Sequence, residues 1–361
     1  MKLIKKITAL ALVALMAFSL TACIHKKNEI AVTVGDVKFT SAYYMCALIN
    51  AKAEAQAKVQ EGLSEEEVSA EIDYYSKKIE KKKFADWVED RAVEMLKEIA
   101  AYKTLSKENK LKLTKEQKEE TEQAVSYYWD NYGYSAYFEP NGVSRDTYAK
   151  YTEDSYYSEV YFQSIYGKEG KKAVKIEDVN KNIIDNYILV DQIQISYEED
   201  ATDDDKLKDK QTLEAYANDI KSGKKTFIDI YKTHNEIKDE ETTETEDKDE
   251  VEAVNTYATV LGAKDTNFAN DYYDTFKNYE LDVPQVIEST DETGVILAIK
   301  RDISKDQYYM DYLDNFARHA IADDEFEKEI AKYAKKLNVK VSSYAVGQFK
   351  VKEIIEPQST Y

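Results

Sequence analysis

Residues 188–196 read Ile-Leu-Val-Asp-Gln-Ile-Gln-Ile-Ser, and the character of the chain changes at this stretch. Apolar and polar side chains alternate over its second half, which is the pattern of a β-strand with one buried face. The residues before it, from about 42 to 161, carry apolar side chains at helical spacing instead. We therefore expect a helical part first, and then a smaller mixed part that begins near residue 187.

The residues that follow this strand predict the rest of the mixed part. Residues 203–221 have the pattern of a helix that ends at Ser222-Gly223, and residues 227–235 predict a second, short helix. Residues 267–278 are also expected to be helical. Residues 293–300 are rich in Val, Ile and Leu and predict a buried strand. The mixed part is therefore a small α/β unit.

An acidic run of low complexity interrupts this α/β unit at residues 236–252. Its high charge and near absence of apolar residues predict a disordered loop. A calcium-binding role is the alternative, but the run lacks the spaced aspartates and the glycine of a calcium loop.

The helical part is framed by short strands at both ends of the chain. Residues 30–40 predict two strands around a Gly35-Asp36 turn, and Thr40 or Ser41 can cap the helix that follows. Residues 307–337 predict one or two helices before a last strand at 339–344. The clearest helix spans residues 83–105, and its apolar stripe consists of Phe84, Trp87, Val88, Ala92, Met95, Ile99 and Tyr102. The expected fold class is α+β and mostly helical, with the two ends of the chain returning to each other.

The amino terminus has the features of a secretory signal. Three lysines precede an apolar segment at residues 7–20, which is short for a membrane span, and Leu20-Thr21-Ala22-Cys23 follows. This pattern resembles the bacterial lipoprotein signal, in which the cysteine is lipidated. We expect residues 1–22 to be removed, residues 23–29 to form a tether, and Cys23 to hold the protein at the extracytoplasmic face of the cytoplasmic membrane. An ordinary signal peptide or anchor with a chance cysteine is the alternative.

Composition narrows the classes of function. The 361-residue chain has a formal net charge of −20, and the loss of the three signal-peptide lysines changes this to −23. Such a charge disfavours nucleic acid as a partner and disfavours direct adhesion to an anionic membrane surface. Cys46 lies in an apolar helical stretch and is expected to be a buried, inert thiol. The three histidines are scattered without metal-ligand spacing, so we expect no metal site and no cofactor.

The order of these segments resembles the extracytoplasmic foldases of the PrsA and SurA type. The similar segments are the opening strand pair at 32–40, the helix at 176–187, and the two helices joined by a glycine break at 213–231. The resemblance implies a SurA-like chaperone domain built from residues 30–186 and 305–346. It also implies an inserted parvulin-like domain at 187–304. The implied partners are unfolded or newly secreted polypeptides, and the sequence leaves homodimerisation open.

The resemblance also assigns the positions of the parvulin site. The first histidine of the family falls on Gln192, and the second falls within the apolar segment Val295 to Leu297. The glycine-rich loop is reduced to residues 260–265. These departures predict a catalytically degenerate domain. Gln192 stands at the first histidine position, and no catalytic residue is assigned. The candidates for lining a proline or client pocket are Phe227, Phe268 and Phe276. Each of them also fits the role of an ordinary core residue.

Three functions therefore compete. The first is a membrane-anchored chaperone or foldase that assists the folding of secreted proteins. The second is an active peptidyl-prolyl cis-trans isomerase, which must lower a barrier of about 18–20 kcal/mol by favouring the twisted amide. The third is a solute-binding or structural surface lipoprotein; a solute-binding protein would need repeated βα units with parallel strands.

Overall fold

A computed structural model describes residues 28–64, 67, 72–235 and 257–356 of the chain. The signal segment with Cys23 and the acidic run at 236–252 lie outside the described residues. The chain divides into two compact units. The first unit contains the described residues up to 173 and from 324 onward, and the second contains residues 174–323.

Within the described residues the helices are α1 (Ser41–Gln60), α2 (Phe84–Glu108), α3 (Lys115–Asn131), α4 (Tyr134–Phe138), α5 (Arg145–Tyr166), α6 (Ile176–Asn186), α7 (Asp203–Lys221), α8 (Phe227–His234), α9 (Tyr273–Phe276), α10 (Gln307–Ala334) and α11 (Ser343–Val346). The strands are β1 (Ile30–Val34), β2 (Val37–Thr40), β3 (Lys78–Ile79), β4 (Lys82–Lys83), β5 (Tyr187–Ser196), β6 (Ala258–Gly262), β7 (Gln285–Glu288), β8 (Gly294–Arg301) and β9 (Val339–Val341). The protein is α+β and mostly helical, with small antiparallel sheets, and the expected fold class is confirmed.

The first unit begins with the predicted strand pair. β1 and β2 form an antiparallel hairpin, and Gly35 turns the chain between them with φ of 56°. This left-handed conformation suits glycine because it has no Cβ. β1 also pairs with β9, so residues near both ends of the chain lie in one three-stranded sheet of order β2-β1-β9.

Three helices of the first unit start at side-chain caps, and Thr40 is one of the two residues expected to cap the first of them. The Thr40 side chain accepts from the Tyr43 N–H at the start of α1, and Ser144 caps α5 in the same way. Thr114 and Gln117 form a complete capping box at the start of α3. The predicted stripe of α2 is largely confirmed, since five of its members are buried and two are half-buried, namely Met95 and Tyr102. Cys46 of α1 is completely buried and free, as expected.

The second unit is built on an antiparallel sheet of order β6-β5-β8-β7. Side chains alternate along β5, so that Ile193 packs against α7 and α8 while Val190 packs against Phe276 of α9 on the opposite face. β8 does the same, with Leu297 on the first face and Ile296 on the second. The two central strands are therefore covered on both sides.

Two sequence predictions for helix and strand lengths are wrong. Residues 267–278 were expected to be helical, yet only Tyr273–Phe276 form a helix. The preceding segment turns back to the end of β6 instead, where the Gly262 N–H donates to the Phe268 carbonyl at 2.6 Å. The strand expected at 339–344 ends at Val341, because the Ser342 hydroxyl caps the short helix α11.

The division into units differs from the sequence-based boundaries at 186/187 and 304/305. The second unit includes α6 and the first part of α10 as well. The reason is a shared apolar cluster in which Val179 and Ile183 of α6 pack with Leu189 of β5 and Leu313 of α10. In the described ranges, no helix is both long and apolar enough to cross a membrane.

Candidate functional site

The positions that the sequence resemblance assigns to two histidines fall on the two central strands of the second unit. Gln192 is half-buried on β5, opposite Ala298 of β8, and its Nε2 donates to Thr259 Oγ1 at 3.1 Å. Residues 295–297 are buried and apolar within β8. A glutamine paired with a threonine is neutral and does not act as an acid or base near pH 7.

The segment assigned to the reduced glycine-rich loop is divided between two kinds of structure. Residues 260–262 belong to β6, which pairs with β5, and residues 263–265 lie in the turn after it. This position is therefore the edge of the sheet. In the part of the chain that the structure describes, no group of three or more His, Cys, Asp or Glu side chains could hold a metal ion.

The three candidate phenylalanines lie in three different places. Phe227, the first residue of α8, is buried on the face of the sheet that α7 and α8 cover, and Phe276 is buried on the other face. Phe268 is half-buried and packs with residues of α10. They do not line one pocket, and only Phe268 adjoins a surface that is open to solvent.

A charged cleft of about 320 Å³ lies beside β5 in the second unit. Asp191 is buried on its wall, where Arg301 Nε donates to Asp191 Oδ2 at 2.6 Å, and Arg301 also donates to Asp282 at 2.7 Å. Burial raises the pKa of Asp191, and the nearby Arg301 charge opposes that rise. The Arg301 guanidinium is already shared between two carboxylates. Asp191, Arg301 and Asp282 are therefore an ion-pair network that holds β8, and the turn before β7, to β5.

Aromatic side chains form a row along the first part of α10, which we call the aromatic row. It consists of Tyr308, Tyr312 and Phe316, spaced four residues apart, together with Phe268. Ring centroids are 6.3 Å apart for Tyr308 and Tyr312, and 5.1 Å apart for Phe268 and Phe316. Tyr308 is 39% exposed and Tyr312 is 48% exposed. The second unit thus presents a continuous aromatic surface to solvent.

A second exposed aromatic group lies on the first unit, at the end of α3, and we call it the tyrosine cluster. Tyr127, Tyr128 and Tyr132 are 50%, 41% and 60% exposed, and their ring centroids lie 5.0–5.7 Å apart. Tyr134 connects them to the core, since its ring contacts Tyr128 at 5.4 Å and the buried Tyr148 at 5.7 Å. The three tyrosines of the cluster are therefore exposed to solvent, and Tyr134 packs them against the core of the first unit.

Sequence reasoning did not identify either surface. The available signal was the high number of tyrosines, 30 in the chain, and their density between residues 127 and 137. Composition does not show which of these rings are buried, because that depends on the helices that pack against α3 and α10. Tyr148 and Tyr132 illustrate this, since the first is buried and the second is exposed.

No protein-family model and no curated protein sequence matches the chain. Among solved structures, it is similar to a crystal structure of the foldase protein PrsA from Streptococcus pneumoniae. The identity is 12%, the match covers 71% of this chain and 87% of the other, and the TM-score is 0.38.

Proposed function

We propose that this protein is a membrane-anchored extracytoplasmic chaperone that binds unfolded secreted polypeptides. In this proposal the first unit is the chaperone domain, and the second is a parvulin-like domain without isomerase activity. The observation that carries the proposal is the pair of exposed aromatic surfaces, one on each unit. Contiguous apolar surface of this kind is uncommon on a soluble protein unless it binds something.

Tyrosine suits a binder of many different unfolded chains. Each ring offers a large apolar face, and its hydroxyl tolerates water when no client is bound. The side chain has few rotatable bonds, so little conformational entropy is lost when it orders against a peptide. Both surfaces are built from exposed ring faces, which is appropriate for a partner defined only by exposed apolar residues.

The client-binding role can be tested by suppression of aggregation. Wild-type chain from Ile24, which retains every described residue, should slow the aggregation of a chemically unfolded protein. Tyr132→Ser and Tyr312→Ser should each weaken this effect, because each removes an exposed ring from one aromatic surface. Tyr344→Ser is the matched control, since Tyr344 is 67% exposed but lies on α11, outside both surfaces. Equal suppression by all three variants and the wild type would contradict the proposal.

The absence of isomerase activity is proposed from the chemistry at Gln192. The neutral Gln192–Thr259 pair and the apolar residues 295–297 stand where the resemblance places two histidines. The test is the refolding of a protein limited by a native cis proline, a step that takes tens to hundreds of seconds without catalysis. We expect no acceleration at substoichiometric amounts. Acceleration would instead favour the active isomerase, and Gln192→Ala would be the first variant to examine.

Anchoring at Cys23 is the remaining part of the proposal. The full chain, expressed in a bacterium, should incorporate labelled fatty acid and remain with the membrane after washing. Cys23→Ser should abolish the labelling. Labelling that persists in this variant would show that Cys23 is not the lipidated residue.

A further inference from the structure

A group of lysines surrounds a cleft at the carboxyl end of α2 in the first unit. The cleft has a volume of about 640 Å³, and we call it the lysine cleft. Four of its six lining residues are lysines in a chain whose net charge is −20. Its lining residues are Lys103, Lys107, Lys110, Leu111, Lys112 and Tyr157.

Most of this positive charge is not neutralised. Lys103 Nζ donates to the buried Asp154 at 2.7 Å, and Lys150 already shares that carboxylate from its other oxygen. Among the described residues, no salt bridge pairs Lys107, Lys110 or Lys112, and all three are exposed. The lysine cleft therefore holds at least three ammonium groups that are free to meet an anion.

The chemistry of the lining indicates what kind of anion fits. Leu111, Tyr157 and the lysine methylene chains provide apolar surface below the ammonium groups. Lysine is a flexible point charge that binds phosphate oxygens without a fixed geometry, whereas planar recognition of a carboxylate favours arginine. A phosphate group attached to an apolar body matches both features.

Hydrogen bonds connect the lysine cleft to the entry of the chain into the first unit. The Ser41 N–H donates to the Glu29 carbonyl at 2.8 Å, and two residues later the Tyr43 hydroxyl donates to Asp154 at 3.2 Å. Asp154 in turn accepts from Lys103 of the cleft. Cys23 precedes Glu29 by six residues, a length of chain that spans about 20 Å at most.

We propose that the lysine cleft binds the phosphate-bearing headgroups of an anionic bilayer and so holds the first unit against the membrane. This inference rests on the proposed anchoring at Cys23, which would place the cleft end of the unit near the bilayer. The net charge, −20 for the full chain and −23 without the three signal-peptide lysines, repels such a surface at long range. Charges farther away than about 10 Å are screened by salt, however, so the lysines at the contact dominate once the anchor brings them there.

A second group of lysines provides a matched comparison. Lys78, Lys81 and Lys83 are exposed on the β3–β4 hairpin, directly before the amino end of α2. The 25 residues of α2 separate the two groups by about 37 Å. The hairpin lysines therefore lie in the same unit and have the same charge, but they lie at the other end of the helix.

Lysine footprinting on the lipidated full chain tests the inference. The chain is placed in vesicles of phosphatidylcholine, with or without phosphatidylglycerol, and treated with a membrane-impermeant acylating reagent. Mass spectrometry then gives the acylation rate of each lysine. We expect phosphatidylglycerol to slow acylation of Lys107, Lys110 and Lys112 severalfold and to leave the hairpin lysines unchanged. Equal rates with and without phosphatidylglycerol, or equal slowing of both groups, would overturn the inference.

A second measurement separates this inference from the anchoring itself. The unlipidated chain from Ile24 is floated with phosphatidylglycerol vesicles at about 0.15 M salt, where charges farther away than about 8 Å are screened. K107Q/K110Q/K112Q should bind on the order of tenfold or more weakly than K78Q/K81Q/K83Q. Equal binding by the two variants would overturn the inference whether or not Cys23 carries lipid. A lack of lipid on Cys23, with the difference between variants intact, would overturn only the anchoring. Inorganic phosphate that abolishes binding at matched ionic strength would show a site for free phosphate, which would also overturn the headgroup assignment.

Discussion

At the scale of single residues, Asp154 is a buried carboxylate that connects three elements of the first unit. It lies on α5 and accepts from Tyr43 of α1 and from Lys103 of α2, as well as from Lys150 one turn earlier on its own helix. A buried carboxylate is tolerated only when its charge and its lone pairs are satisfied. Here both conditions are met, and the acceptor is therefore a structural group rather than a catalytic one.

We predict that Asp154→Ala will destabilise the protein by about 2–4 kcal/mol, because it leaves the Tyr43 hydroxyl and the Lys103 ammonium without their partner. Urea denaturation followed by circular dichroism measures the change. Asp146→Ala is the control, since Asp146 is exposed in the first turn of the same helix and its loss should cost only about 0.5 kcal/mol. Similar losses in both variants would contradict the structural role of Asp154.

Asp191 and Arg301 give a prediction for pH. Burial raises the folded-state pKa of Asp191 above its ordinary value of 3.8, so the folded protein binds this proton more tightly than the unfolded chain does. The protonated, neutral form of Asp191 therefore stabilises the folded state. This stabilisation is fully present below the unfolded-state pKa of 3.8, and it is lost as the pH rises through the folded-state pKa. We predict that Asp191→Asn will make the free energy of unfolding less dependent on pH from 3.8 upward.

Removal of Arg301, the partner of Asp191, should make the free energy of unfolding more dependent on pH. Arg301→Ala leaves the buried Asp191 without its counter-charge and should cost about 2–4 kcal/mol at neutral pH, and less in acid. Adding Asp191→Asn to Arg301→Ala should restore part of that loss. Urea denaturation at acidic and neutral pH measures both effects. If the double variant is as unstable as Arg301→Ala alone at neutral pH, buried charge is not the cause.

At the scale of elements, the β1–β2 hairpin depends on the backbone conformation of one residue. Gly35 adopts φ of 56°, and a Cβ built there would meet only Leu337 Cδ2 at 3.6 Å. Space is therefore sufficient, and the cost of a side chain would arise from the left-handed backbone. The turn positions β1 between β2 and β9, which brings residues from both ends of the chain into one sheet.

We predict that Gly35→Ala will lower the free energy of unfolding by about 1–2 kcal/mol, because an L-residue is strained in this conformation. Gly62→Ala is the matched control: Gly62 lacks a positive φ, and the nearest atom to its added Cβ, the Val59 carbonyl oxygen, is 3.8 Å away. The control should be neutral or slightly stabilising. Thermal and urea denaturation of both variants will show whether the two substitutions differ, and equal effects would refute the explanation from backbone strain.

At the scale of the whole molecule, the second unit has the properties of an independently folding insertion. It has its own apolar clusters on both faces of its sheet. Its first and last residues lie close together, because Arg318 Nη1 donates to the Val174 carbonyl at 2.9 Å and Arg318 lies five residues before the end of the unit. Adjacent termini are typical of domains that are inserted into another domain.

We predict that the fragment 174–323 will fold on its own with a cooperative unfolding transition, since its core does not require residues outside this range. Circular dichroism and urea denaturation of the fragment measure this. A shorter fragment with the sequence-based boundaries, 187–304, is the comparison; it should be unstable because it lacks the apolar side chains of α6 and Leu313. Equal stability of the two fragments would show that α6 and α10 are dispensable to the unit.

The arrangement of strands also bears on the alternative functions. Every pairing between the named strands of the described residues is antiparallel. A solute-binding protein built from repeated βα units would show parallel strands instead. The architecture therefore gives no support to that alternative, whereas the exposed aromatic surfaces support the chaperone.

The sequence alone determined those features that depend on near neighbours. Caps such as Thr40 and Thr114, the helix at 203–221 and the strand at 188–196 were predictable, because hydrogen bonds within a few residues and the spacing of apolar side chains specify them. The buried state of Cys46 was predictable for the same reason. Its apolar neighbours on the helix already indicated a position in the core.

Only the tertiary structure decided those features that depend on distant partners. The edge strands β6 and β7 exist because β5 and β8 supply their hydrogen-bond partners. The predicted helix at 267–278 does not begin at its expected start, because the Phe268 carbonyl accepts from the Gly262 N–H at the end of β6. Whether Tyr132 is exposed while Tyr148 is buried depends on which helices pack over each ring. The lysine cleft arises in the same way, since Asp154 neutralises one lysine and leaves the others to solvent. Burial and charge balance are set by residues far apart in the chain, which local patterns do not record.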